Sequence, residues 1–265
     1  MVEASDPLKA FVIGTIQALT EFLPVSSSGH MVVIKHLLHV TETGITIEIV
    51  THLATAFAVI IFLRRQLVKL VRSLLVFPFR RTEPQVGEDV SLIGKLAVAS
   101  VPAGLLGLSV RSQIEGFFSN PVLTAAMLIV TGCYLLVSGL ARKGSKSITY
   151  RHALIIGLAQ AAALVPGISR SGLTIGAALL IGVEARRAFE FSLLLSLPAI
   201  IGAGIVELVS ERLAASTDVI MASTLAAFGF GYLAIMLLFR TVIRRRLHIF
   251  SFYLIPLGIL LLIVL

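Results

Sequence analysis

Leu23-Pro24-Val25-Ser26-Ser27-Ser28-Gly29-His30 and Val165-Pro166-Gly167-Ile168-Ser169-Arg170-Ser171-Gly172 each interrupt a long apolar segment near its middle. The first break lies within 8–37 and the second within 152–183. Neither half of either segment reaches the roughly 20 helical residues needed to cross a hydrocarbon core of about 30 Å. Each segment therefore reads as a re-entrant helix-loop-helix hairpin. Irregular backbone at membrane depth persists only where protein or water satisfies its N–H and C=O groups, so the two breaks mark an interior cavity. Reading 8–24 and 26–38 as two short crossings keeps the same parity, and charge does not separate the two versions.

Outside the hairpins, six apolar stretches are long enough to span, at about 45–63, 92–110, 121–140, 188–207, 219–239 and 248–265. The 265 residues are 57% hydrophobic and only 14% charged, with a mean hydropathy of +1.00. A soluble domain carries about 25% charged residues and keeps much of its surface wet. Soluble, disordered, collagen-like and disulfide-scaffold classes are excluded. The net charge of +8 sits at the ends of apolar runs, which signals topology and not a nucleic-acid partner. No cleavable signal peptide is expected, because the start carries Glu3 and Asp6 and lacks a basic region. The single Cys133 excludes an internal disulfide and reads as a buried small hydrophobe. The polar stretch from Arg80 to Asp89 reads as a loop after an interfacial segment, 66–78.

The two halves match. Gly14-Thr15-Ile16-Gln17-Ala18 parallels Gly157-Leu158-Ala159-Gln160-Ala161, and each match is followed by a proline and then by Ser-Gly. Three spans follow each hairpin, so each repeat crosses an odd number of times and the second copy is inserted upside down. The expected fold is an all-α integral membrane protein with inverted-topology repeats, six full transmembrane helices plus two re-entrant hairpins. It forms a single membrane domain over 1–265, with repeats at about 8–140 and 152–265. This topology puts seventeen Lys and Arg on one side and four (Lys9, Lys35, Arg111 and Arg212) on the other. The positive-inside rule makes the basic side cytoplasmic and both termini extracytoplasmic. The first hairpin then opens outward and the second to the cytoplasm.

Ionisable groups at membrane depth are costly and point to function. Gln17 and Glu21 share a helix face leading into the first break. A carboxylate there can bind a cation, take a proton or pair with Arg170; a Glu–Arg pair that merely joins the hairpins is the plainer alternative. Ser26, Ser27 and Ser28 open a half-helix, where serines commonly serve as caps. Beside Gly29 and His30, they also suit phosphate at a helix N-terminus. Ser27 and His30, three apart, match the pairing of a nucleophile with its base. Ser169, Arg170 and Ser171 open the matching half-helix with Thr174 one turn on, and Arg170 offers a planar fork to phosphate oxygens. Two opposed helix starts make an anion site inside a membrane, which suits a phosphorylated lipid. Glu48, His52 and Glu190 fall in the following spans and read as supporting groups outside the site. Glu48 and Glu190 are candidate repeat counterparts. His152 reads as nearer an interface.

These motifs carry a resemblance. Gln17-Ala18-Leu19-Thr20-Glu21 with the following Ser28-Gly29-His30 resembles the (E/Q)xxxE and Ser-Gly-His motifs of the undecaprenyl-diphosphate phosphatases, the bacitracin-resistance protein family. Pro166-Gly167-Ile168-Ser169-Arg170-Ser171-Gly172-Leu173-Thr174 is similar to that family's PGxSRSxxT motif, and the likeness continues through Phe189–Pro198. The resemblance implies an enzyme of the bacterial cytoplasmic (inner) membrane that hydrolyses undecaprenyl diphosphate to undecaprenyl phosphate and inorganic phosphate. This recycles a lipid carrier for peptidoglycan and other wall polymers, and the family is associated with bacitracin resistance. It implies an extracytoplasmic active site, which agrees with the charge count, and a divalent cation, Mg2+ or Ca2+.

The candidate catalytic residues are Glu21, Ser27, His30 and Arg170, and the candidate substrate-binding residues are Gln17, Ser26, Ser28, Ser169, Ser171 and Thr174. Glu21 is the candidate metal ligand. With Gln17 in place of a glutamate, a two-carboxylate metal site is absent, so the cation is expected to arrive largely with the diphosphate. Ser27, His30 and water all remain open as the attacking group. The partners expected are the polyprenyl diphosphate and membrane lipids, with no nucleic acid; assembly stays open, a homodimer included. A lipid-phosphate flippase is the alternative from another class.

Overall fold

The chain folds almost entirely into α-helix in a computed structural model that describes residues 7–37, 44–80, 82–210 and 216–265. The helices are α1 (Pro7–Phe22), α2 (Ser27–Leu37), α3 (Gly44–Phe62), α4 (Arg64–Val76), α5 (Pro84–Ser109), α6 (Arg111–Phe118), α7 (Pro121–Gly139), α8 (Tyr150–Ala162), α9 (Arg170–Leu180), α10 (Ala185–Ser210), α11 (Thr217–Ile243) and α12 (Ser251–Val264), the last preceded by a 3₁₀ turn, Leu247–Phe250. Glu3, Asp6, Arg81 and Arg212, used above for the signal-peptide and charge readings, lie outside the described residues.

Both apolar segments with a Pro/Ser/Gly break fold as two helices around a turn, α1–α2 and α8–α9. Among the described residues, four helices are long and apolar enough to cross a membrane: α5, α7, α11 and Leu247–Val264. The bent pair α3–α4, turned by 79°, makes a fifth when counted as one span. Large apolar side chains such as Leu105, Leu108, Leu225, Phe252 and Ile263 face outward. Water does not tolerate such a surface, whereas acyl chains do, and the chain is an all-α, multi-pass membrane protein.

Packing crosses between the halves. The α1 helix lies along α11, and α8 lies along α5. Two glycines, Gly14 and Gly157, permit this. A Cβ on Gly14 would lie 2.7 Å from the Ser223 carbonyl oxygen, and one on Gly157 would strike the Ala99 backbone. Each half-helix is thus held by the other half of the chain. The breaks also meet: a Cβ on Gly29 would lie 3.0 Å from Gly167 Cα, and one on Gly172 3.2 Å from Pro24 Cβ. The buried Thr131 of α7 fastens the second break. Its hydroxyl donates to Gly167 O (2.9 Å) and accepts from Ser169 N (3.2 Å), while Gly167 takes a positive φ of 91° that favours glycine.

Two expectations change. The Arg80–Asp89 stretch is not all loop, because α5 starts at Pro84, a residue pre-set for the first helical turn. Asp89 then sits buried against α4, accepting from Ser73 Oγ at 2.7 Å and pairing with Lys69 Nζ at 3.0 Å. This ties the short amphipathic α4 to α5. Cys133 is exposed on α7, not buried; a membrane span is apolar on its lipid side as well as its core side, so an apolar setting does not reveal which face a residue occupies. His152 stands at the start of α8 in a capping box with Thr149, which fits the interfacial reading.

Candidate active site

The two helix starts are built alike. Ser26 Oγ accepts the Gly29 N–H at 3.2 Å and lies 3.3 Å from Ser28 Oγ. Ser169 Oγ accepts the Gly172 N–H at 3.2 Å and lies 3.3 Å from Ser171 Oγ. Ser26 and Ser169 are therefore the caps. Ser26 adopts φ 67°, a left-handed conformation that costs about 1–2 kcal/mol in a non-glycine residue. Its carbonyl accepts both the His30 N–H (3.1 Å) and the His30 Nδ1–H (2.8 Å), which hold the turn.

Capping by Ser26 leaves the next position free to face the cavity. Ser27 Oγ donates to Glu21 Oε2 at 2.6 Å. At the start of α9 the equivalent position is Arg170, whose Nη2 donates to Glu21 Oε1 at 2.6 Å. Its Nη1 donates to Ser196 O of α10 at 3.3 Å. One carboxylate thus bridges the first residues of α2 and α9. The guanidinium side chain is 18% exposed and the carboxylate 9%. A pair this buried is strongly destabilised by removal of one partner alone, since an uncompensated charge remains.

Around this bridge lies a cavity of about 180 Å³, lined by Thr20, Glu21, Ser26, Ser27, Ser28, His52, Ala163, Ile168, Ser169, Arg170, Ala199 and Ile200. Two helix N-termini with their unsatisfied N–H groups, each equivalent to about +0.5 elementary charge, face it together with Arg170. Among the described residues lining it, Glu21 alone offers a fixed negative charge. The arrangement suits an anion that displaces Glu21 from Arg170, next to a hydroxyl already hydrogen-bonded to a carboxylate.

The remaining candidates lie behind this wall. His30 turns from Ser27: its Nε2 accepts from the Tyr253 hydroxyl at 2.7 Å, with the two rings stacked at 5.7 Å. Thr174 is buried, donating to Arg170 O at 2.8 Å and lying 2.6 Å from Ser192 Oγ. Ser171 is buried beside it. Gln17 reaches the site through His52: its Nε2 donates to His52 Nε2 at 2.8 Å.

His52 of α3, which the sequence suggests only as a supporting group, lines the cavity, with its Nε2 3.9 Å from Glu21 Oε2. The signal for it is an ionisable ring in an apolar span; the direction in which the ring points is not readable from the sequence. Glu48, one turn before it, lines a neighbouring cavity of about 300 Å³ with Ser28, Met31 and Phe118. Glu190 instead pairs with the exposed Arg186 at 2.9 Å, so the two glutamates differ in setting. We expect His52→Ala to lower kcat/KM for phosphate release about 10- to 100-fold, the scale of losing an outer partner of a metal-ligating side chain, here the candidate ligand Glu21. Unchanged kcat/KM in the folded variant would reduce His52 to a packing role.

The cation expectation meets a single carboxylate. Among the described residues no group of three or more His, Cys, Asp or Glu side chains is placed to hold a metal. The hydroxyls of Thr20, Ser27 and Ser28 share the cavity with Glu21. Hard oxygen donors with one carboxylate fit an Mg2+- or Ca2+-type ion whose other ligands are substrate oxygens and water.

The profile of the family described as bacitracin resistance protein BacA matches residues 10–260. A protein of Thermosipho africanus called undecaprenyl-diphosphatase is 39% identical over 94% of this chain and 96% of its own length. A protein of the same description from Methanosphaera stadtmanae is 34% identical over 96% of each chain. One from Bacillus cereus, called undecaprenyl-diphosphatase 4, is 36% identical, again over 96% of each.

Proposed function

The chain belongs to the bacitracin resistance protein BacA family, and we infer that it is an undecaprenyl-diphosphatase, a membrane hydrolase that converts undecaprenyl diphosphate to undecaprenyl phosphate and inorganic phosphate. The observation that carries the chemistry is the bridge of Glu21 to both Ser27 and Arg170, at 2.6 Å each.

In our reading the diphosphate lies between the starts of α2 and α9. Arg170 moves from Glu21 to the phosphoryl oxygens, where its fork and the helix N–H groups stabilise charge in transfer. Ser27 Oγ attacks the terminal phosphorus and its proton passes to Glu21. The bond from that phosphorus to the bridging oxygen breaks, and undecaprenyl phosphate leaves with that oxygen. The departing undecaprenyl phosphate takes that proton from Glu21. Water then attacks the phosphoserine with Glu21 accepting its proton, the Ser27 Oγ–P bond breaks, and the proton passes to Ser27 Oγ as inorganic phosphate leaves. Glu21 is favoured over His30 as the base because His30 is committed to Ser26 O and Tyr253. His30 thereby fixes the turn that presents Ser27. Glu21, with the nearby hydroxyls, would hold an Mg2+ or Ca2+ ion, which when bound neutralises part of the phosphoryl charge. Gln17 acts through His52, and Thr174 by steadying Arg170; Ser26, Ser28, Ser169 and Ser171 build the two starts.

We place the chain in a bacterial cytoplasmic membrane with α3 and α10 as further spans, giving six spans and two re-entrant hairpins. The crossed packing of α1 on α11 and α8 on α5 supports inverted repeats. The positive-inside bias of the basic loops supports a site that faces the extracytoplasmic side and recycles the carrier lipid for wall synthesis.

The test is phosphoenzyme trapping during turnover in detergent. Label on Ser27 and loss of phosphate release in Ser27→Ala are expected. Label on His30, or full activity of Ser27→Ala, would refute serine attack. Absence of any phosphate release by the native chain would favour a carrier.

A further inference from the structure

Away from the catalytic centre, the connector from α7 to α8 folds against the end of α9 around a cavity of about 450 Å³. Arg142, Lys143 and Lys146 line it, and none of the described residues lining it is acidic. Arg142 and Lys143 are exposed. Glu184, which follows the end of α9, accepts instead from Arg187 Nε at 2.9 Å.

This cradle is built into the fold. Lys146 Nζ donates to Ile181 O at 3.1 Å, one of the carbonyls left open at the α9 C-terminus. The connector is pinned by Lys146 N to Gly182 O (3.1 Å) and Glu184 N to Lys146 O (3.2 Å). Arg245 Nη2 donates to Ala141 O at 3.0 Å from the far side. Beside the cations, Leu140 is 82% exposed and Leu180 42%, both lining the same cavity. Cations above and bare leucines beside them match a molecule with a charged head and an apolar body.

We propose that this cavity binds the phosphate headgroup of an anionic phospholipid, with its acyl chains along Leu140 and Leu180. A free anion would gain nothing from the leucines, and a zwitterionic lipid would leave the cations uncompensated. Each cation near such a headgroup contributes about 1 kcal/mol. The site is separate from catalysis and does not depend on the hydrolytic reading.

The test uses the full chain, delipidated in neutral detergent, with phosphatidylglycerol or phosphatidylcholine added and retention read by native mass spectrometry. Phosphatidylglycerol is expected to be retained in preference. Arg142→Gln/Lys143→Gln should weaken its binding about 10- to 30-fold, the equivalent of two lost cations, with phosphate release in neutral detergent unchanged. The charge-preserving Arg142→Lys/Lys143→Arg should keep the preference. Equal retention of both lipids, or a preference that survives in the double glutamine variant, would overturn the proposal. Displacement of the lipid by millimolar inorganic phosphate would instead identify a free-anion site and also overturn it.

Discussion

Arg170→Lys is expected to lower kcat/KM for phosphate release by about 10³-fold, the scale set by loss of an arginine that stabilises a transferring phosphoryl group. The lysine keeps the positive charge opposite Glu21, so the variant avoids the stability loss of about 3–5 kcal/mol that an unpaired buried carboxylate brings. What it loses is the fork. Arg170 anchors one arm on Ser196 O and extends the other to Glu21 Oε1; an ammonium cannot hold an α10 carbonyl and present a second planar donor to phosphate at once. Thermal unfolding close to that of the native chain, together with the collapse in turnover, is the expected pair of results. Activity within about tenfold of native would mean that Arg170 serves only to join the hairpins, because charge alone cannot replace the fork in the transition state.

Glu21→Gln is expected to reduce kcat by about 10²–10⁴-fold, the usual contribution of general acid–base catalysis. The amide nearly preserves the shape and can still accept from Ser27, but it cannot take that hydroxyl's proton. Arg170 is then freed from its carboxylate and available to the substrate, while its uncompensated charge lowers thermal stability without substrate. KM should therefore stay level or fall while kcat drops. A rise in KM with kcat preserved would make Glu21 a binding group and would pass the base role elsewhere. Titration of Mg2+ or Ca2+ in both proteins adds a second readout: if Glu21 holds the ion, the variant needs more cation for half-maximal turnover.

Several of these relations are legible in the amino-acid sequence alone. Pro24, Pro166 and the Ser-Gly turns interrupt apolar runs, and a break at membrane depth must line a cavity. The matched Gly14 and Gly157 point to a repeat, and both stand where a half-helix meets a backbone of the other half. The 66–78 segment overlaps the amphipathic α4. By contrast, Cys133 sits in a largely apolar stretch, and the polar neighbours that share a helix face with His52, namely Glu48 and Thr55, do not name its partner across the fold. Lipid is as apolar as the protein core, so periodicity in such a helix carries little information about rotation around its axis. Nothing local shows that His52 faces Glu21 or that Cys133 faces outward. His30 matches a partner for Ser27 by spacing alone, but Tyr253, more than 200 residues away in sequence, draws its ring elsewhere.

The amino-acid order determined that this chain lives in a membrane, where its helices break, and that a carboxylate, a serine and an arginine stand at those breaks, because hydropathy, proline and helix capping act over short distances along the backbone. Which serine caps and which meets Glu21, and that Glu21 and Arg170 touch across 149 residues, was decided only by the crossed packing of the two halves, since contact between distant segments depends on helix rotation and close backbone approach, which local composition does not encode.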